Sequence, residues 1–181
     1  MSRTFNLLCI FYLFSITSCA DTSKEAEVQE FSYFDIKGYF EKEVAKLSVE
    51  NPLVYKEVYK NRQKEAKEVA INDWQKELSL FIESDINKPS WKNSYSFERS
   101  DDTVIYRALE DELRTRKIEI IKIGEKVLSI YIENSASNEL YKSNEQLFYF
   151  PDSLYRIIKK QQVRILGENQ YEIVGKLKKA N

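Results

Sequence analysis

The 181-residue chain contains no histidine. That excludes Ser-His-Asp and Cys-His catalytic arrangements, an HExxH zinc site and any imidazole general base. Cysteine is almost as scarce, with Cys9 and Cys19 alone, which leaves no set of thiolates for a zinc ribbon. The four glycines, Gly38, Gly124, Gly167 and Gly175, are too scattered to form a phosphate loop or a dinucleotide fingerprint. No Ser-x-x-Lys pair occurs, so the commonest histidine-free acyl-transfer signature is missing as well. Nor is there an excess of charge of either sign: 28 basic residues stand against 29 acidic ones. A near-neutral balance argues against a dedicated nucleic-acid binder.

What is present begins with an N-terminal export pattern. Arg3 precedes an apolar stretch from Leu7 to Ile16, and small residues then lead into a cysteine, Ile16-Thr17-Ser18-Cys19. About 20 apolar residues are needed to span a bilayer as a helix, so this stretch is too short to do so and suits a signal-peptide core. The four residues ending at Cys19 resemble the lipobox of bacterial lipoproteins. That resemblance implies cleavage after Ser18, thioether diacylation of Cys19 and anchorage to a membrane through the lipid. Cys9 would leave with residues 1–18, so the mature chain would keep one cysteine and could form no internal disulfide. Acylation would account for an otherwise unpaired thiol in an oxidising compartment.

Residues 19–30 are polar and acidic and read as a flexible tether. The acidic run after Cys19 resembles sorting signals of surface-exposed Bacteroidota lipoproteins. The stretches Phe34-Asp35-Ile36-Lys37-Gly38-Tyr39-Phe40 and Pro151-Asp152-Ser153-Leu154-Tyr155 resemble uncharacterised envelope lipoproteins of the same group. These resemblances imply a place in the cell envelope, at the outer membrane, and carry no functional residues with them.

Residues 31–181, about 150 in number, are enough for one domain that buries roughly two-thirds of its extended-chain surface. Ile36, Phe40, Val44 and Leu47 recur at helical spacing and predict a helix over 35–50, started by a Ser32/Asp35 capping pair and stopped by Asn51-Pro52. Residues 53–71 read as two strands about a tight turn at Asn61-Arg62, with a charged helix over 56–70 as the competing pattern. Asn72 as N-cap, with Gln75 in the capping-box position and Trp74, Leu78, Phe81 and Ile82 as its apolar stripe, predicts a second helix reaching Asp85.

From Ser90 onward the pattern is β. A short strand, Val104-Ile105-Tyr106, follows an acidic turn at Asp101-Asp102. A hairpin over 118–132 turns at Gly124-Glu125 and places Leu128, Ile130 and Ile132 on one face. A further hairpin turns at Ser143-Asn144-Glu145 and ends at Pro151-Asp152. Strands over 154–165 and 171–177 flank a turn at Gly167-Glu168-Asn169. Short connections imply antiparallel neighbours. The expected fold is therefore α+β, a single domain of two N-terminal helices packed on a curved antiparallel sheet.

Three groups of side chains invite a functional reading. Glu98, Asp101, Asp102 and Glu110-Asp111-Glu112 offer carboxylates for glycoside hydrolysis or calcium, but they match no EF-hand spacing, and acidic turns are ordinarily solvated. Trp91, Tyr95, Phe97, Tyr106, Tyr141 and Tyr149 could line a sugar or lipid site, although strand alternation assigns them to core first. Arg156, Lys159, Lys160 and Arg164 could meet anionic headgroups or form the wet side of a strand. The expectation is a non-enzymatic binding or structural domain without cofactor, metal or catalytic residues. Its partners would be the membrane, through lipid on Cys19, and an envelope protein, not nucleic acid. The alternative is a carrier of lipid or another hydrophobic ligand in a half-barrel cavity.

Overall fold

The computed structural model describes residues 33–61, 63–165 and 167–178. The lipobox with Cys19, the tether over 19–30 and Ser32 lie outside the described residues. Contacts group Phe31–Asn181 into one compact unit.

The chain opens with α1 (Ile36–Glu50). Its N-cap is Asp35 itself, whose carboxylate accepts the Gly38 N–H at 2.8 Å, in place of the predicted Ser32/Asp35 pair. Asn51, in the left-handed region at φ 42°, closes the other end by donating its N–H to the Leu47 carbonyl. Ile36, Phe40 and Leu47 are buried, as the periodicity predicts.

β1 (Leu53–Lys60) and β2 (Gln63–Ala70) form the expected hairpin, with Asn61 at φ 54° in a two-residue turn; the competing charged helix does not form. The predicted second helix is replaced by two single turns, α2 (Trp74–Glu77) and α3 (Ser79–Ile82), broken at Leu78. Asp73, not Asn72, is the cap, accepting the Lys76 N–H at 2.8 Å. The stripe survives the break, because Trp74, Leu78 and Phe81 are all buried. Burial, rather than backbone propensity, holds this segment in place.

The remaining strands are β3 (Tyr95–Arg99), β4 (Thr103–Ala108), β5 (Thr115–Ile123), β6 (Lys126–Ser137), β7 (Tyr141–Phe150), β8 (Leu154–Val163) and β9 (Gly167–Leu177). β3 to β9 run as an antiparallel meander, and the β1–β2 hairpin adds to the β9 edge, for the order β2-β1-β9-β8-β7-β6-β5-β4-β3. One nine-stranded antiparallel sheet with few helices is thus an α+β arrangement weighted heavily to β.

Three strand expectations are corrected. Ser143-Asn144-Glu145 is no turn but the middle of β7, paired with β6 and β8 throughout. Leu128 does not share a face with Ile130 and Ile132: the β5–β6 register shifts there, so Val127 is buried and Leu128 is 38% exposed. The β8–β9 turn precedes Gly167, which already pairs with Val163.

Cross-strand pairing defines one inner face. A row through Ile120, Ile130, Tyr149, Tyr155 and Gly175 lies beside a second through Ile118, Ile132, Leu147, Ile157, Ile173 and Val58. The helices cover the first row by aromatic packing, with Phe40 and Phe81 against Tyr149 and Trp74 against Tyr155. Such edge-to-face pairs add about 0.5–1.5 kcal/mol each to the area they bury.

Candidate functional groove

The same registers carry the inner face beyond the helices. The third row runs Thr115, Asn134, Glu145, Lys159 and Tyr171, and the fourth pairs Ala136, Ser143, Gln161 and Asn169. Apolar character stops at the second row. Beyond it lies a polar strip that α2 and α3 cover only in part, with Leu80 and the Glu83–Ser84 segment reaching across to β6 and β7.

The result is an open groove in two adjoining halves that share lining residues. One is a cavity of about 660 Å³ between α2–α3 and the inner face of β1, β8 and β9, with Val58, Ile71, Leu80, Ile157, Tyr171 and Ile173 among its lining. The other, about 350 Å³, lies against β6–β8 and is lined by Glu83, Arg114, Asn134, Tyr141, Ser143 and Glu145. Leu80 and Lys159 line both. Each volume falls within the roughly 300–1,000 Å³ typical of small-molecule sites.

Glu145 organises the polar half. Its side chain is 5% exposed and takes Arg114 Nη2 at 2.8 Å on one oxygen and Lys159 Nζ at 2.9 Å on the other. Asn134 Nδ2 lies 3.3 Å from the Arg114-bound oxygen and donates to Ser84 Oγ at 2.8 Å. Burial by itself would raise the Glu145 carboxyl. The hydrogen bond from Lys159 and the Arg114 charge outweigh it and hold the group below the usual carboxylate range. Among the described residues, Trp74 Nε1, Asn134 Oδ1 and Ser143 Oγ are buried without a hydrogen-bond partner, and the last two belong to residues lining this half. Buried polar atoms left unpaired are costly unless water or another group reaches them.

The residues singled out from sequence fall elsewhere, with two exceptions. Glu98, Asp101, Asp102, Glu110, Asp111 and Glu112 are all exposed; Glu98 meets Arg107 and Asp111 meets Arg116. Among the described residues no three His, Cys, Asp or Glu side chains converge as a metal site would require. Tyr95, Tyr106 and Tyr149 belong to the core, and Phe97 is 63% exposed. Tyr141 lines the groove. The basic run divides between faces: Arg156 pairs with Glu172 on the outer side, whereas Lys159 turns inward to Glu145. Arg114, Asn134, Ser143 and Glu145 carry no motif, and the one legible cue is a polar break in an otherwise apolar alternation.

No protein-family model, no curated protein and no solved structure matches the chain.

Proposed function

We propose that this chain is a lipid-anchored lipoprotein of the cell envelope whose domain binds a small hydrophobic or amphiphilic ligand in the inner-face groove, without catalysis. The single observation that carries the binding reading is the partly exposed apolar surface of Val58, Leu80 and Ile173, with buried Ile157 beside it, bounding about 660 Å³. Apolar strand residues on an inner face are ordinarily sealed by a packed layer, and a contiguous concave patch left open is a ligand site or an interface. In this reading the sheet is curved, and α2 with α3 acts as a partial lid.

Catalysis is the weaker reading. Among the described residues lining the groove no serine hydroxyl hydrogen-bonds to a carboxylate or a lysine, and Glu145 is committed to two cations and an amide, with its ionised form stabilised; a carboxyl held low is a poor proton acceptor. Anchorage rests on the Ile16-Thr17-Ser18-Cys19 pattern. Among the described residues no helix is long and apolar enough to cross a membrane.

Two experiments test the two parts. Replacing Cys19 by serine is expected to abolish incorporation of labelled palmitate and to release the protein from washed membranes; continued lipid labelling would refute the anchor. Ile173→Asp puts a charge into the groove floor, where burying one methylene is worth about 0.8 kcal/mol and an unpaired charge costs far more. The full chain is expected to bind a fluorescent hydrophobic probe, and Ile173→Asp to weaken it on the order of tenfold or more. A wild-type chain that binds no such probe would defeat the groove reading.

A further inference from the structure

The groove is asymmetric along its length, and that asymmetry specifies a ligand class. At the β1–β9 end the floor is Val58 and Ile173; Lys56 holds Glu77 at 2.6 Å, Asp73 caps α2, and Lys76 stands in the wall. At the β6–β8 end two cations share one carboxylate. Lys159 spends one of its three donors on Glu145, and Arg114 makes one strong bond to the same group. Among the described residues lining this end the other acid is Glu83, which lies 3.9 Å from Arg114 with 60% of its side chain in water, where its field is screened. Counting Glu83 the formal charges here balance, but the shielded part of this end sets two cations against one buried carboxylate, with N–H donors to spare and the Ser143 hydroxyl, 4% exposed, set in the wall.

We infer that the ligand is a single-chain amphiphile with an anionic head, a carboxylate or a phosphate. Its chain lies along Val58, Leu80 and Ile173, and its head lies against Lys159 and Arg114. Glu145 then acts as a resident anion. It keeps the two cations spread and oriented in the empty groove while leaving their net charge uncancelled, so a second anion finds donors already in position. Lys159 lines both halves, and its ammonium reaches Glu145 in the polar one. A neutral lipid would leave the spare cationic donors unmet, and a dianionic head without a chain would leave the apolar half wet. This inference rests on the groove-binding reading.

The test compares laurate, lauryl phosphate and dodecanol, three probes that share a chain length and differ in the head. Each is titrated into the full chain carrying Cys19→Ser, free of detergent. The anionic probes are expected to bind on the order of tenfold more tightly than the alcohol, as charge-assisted hydrogen bonds require. Lys159→Gln should shrink the ratio of anion to alcohol affinity toward unity. Glu145→Gln, which removes the resident anion and keeps the side-chain shape, should enlarge it. Opposite shifts in two neighbouring variants would not arise from general loosening of the fold. A preference between laurate and lauryl phosphate identifies the head, and either supports the inference. Equal binding of anion and alcohol in the wild type, or a ratio unmoved by both variants, overturns it and leaves the groove reading standing. Failure of all three probes to bind removes the groove reading itself.

Discussion

Gly175→Ala is expected to cost about 3 kcal/mol of stability, at the upper end of what overpacking a tight core costs, and to lower the melting temperature by roughly 10 °C. Glycine weakens the interior of a strand, so its place in the middle of β9, with β8 on one side and β1 on the other, calls for a reason. The reason is Tyr155, its direct partner on β8. A methyl group at position 175 would sit 2.1 Å from Tyr155 Cζ and 2.4 Å from its hydroxyl oxygen, overlapping the phenol end of the ring. The ring cannot yield cheaply: it is fully buried, Trp74 stands edge-on to it at 6.3 Å, and its hydroxyl donates to Glu77.

That contact chain is also what seats α2. Glu77 accepts from Tyr155 on β8 and from Lys56 on β1, so the helix is tied to two strands by one carboxylate. Pushing Tyr155 away would shift Glu77 and Lys76, both of which line the groove. Gly175→Ala should therefore weaken ligand binding as well as stability. The decisive control is a double-mutant cycle. Tyr155→Leu alone should cost about 3 kcal/mol for the lost ring and its hydrogen bond. Adding Gly175→Ala to it should cost under about 0.5 kcal/mol, since nothing would then occupy the space. Additive costs in urea melts would refute the account.

The sequence revealed this architecture unevenly, and the unevenness has a physical pattern. Helix α1 and the β1–β2 turn were legible because each rests on local chemistry: a capping carboxylate at Asp35, and an asparagine at position 61 that tolerates a left-handed backbone. The segment over 72–85 was legible as to burial but not as to shape. Trp74, Leu78 and Phe81 reach the core from two separate turns as well as they would from one helix, and only the tertiary packing distinguishes these arrangements. Leu128 was misplaced because a bulge moves a strand by one residue, which reverses every face assignment up to it, and no residue type announces a bulge.

The instructive miss is Ser143-Asn144-Glu145. Three polar residues between apolar runs read as a turn under any scheme that expects inner faces to be apolar. In the fold Ser143 and Glu145 point inward and are 4% and 5% exposed, while Asn144 points out. The pattern failed where the chain departs from what stability alone would choose, and such departures mark functional or strained sites. Lys159 is separated from its neighbours by strand parity: within the run Arg156, Lys159, Lys160 and Arg164 it alone falls in step with buried Tyr155 and Ile157 and so faces the groove.

Arg114→Met should be the costlier way to disturb the Glu145 cluster, and its cost should depend on pH. At pH 7 the variant leaves a buried carboxylate with Lys159 as its one remaining cation, and breaking half of such an arrangement costs about 3 kcal/mol. Glu145→Gln should cost under about 1 kcal/mol. The two cations it strands keep 33% and 27% of their side chains in water and are not buried alone. Because Glu145 titrates below its unfolded counterpart, near 4.3, its ionised form contributes stability that is complete above about pH 5. That contribution is lost as the pH falls through the folded value, when protonation removes the charge that Arg114 compensates. The Arg114→Met penalty should therefore be largest at neutral pH and shrink as the pH falls below about 4, while Glu145→Gln should flatten the acid limb of the wild-type stability curve. Urea melts of the three proteins between pH 3 and pH 7 decide the matter. A penalty for Arg114→Met that does not change with pH, or one smaller than that of Glu145→Gln, would mean that the cluster is held by packing and that Glu145 is not the charge around which the polar half of the groove is built.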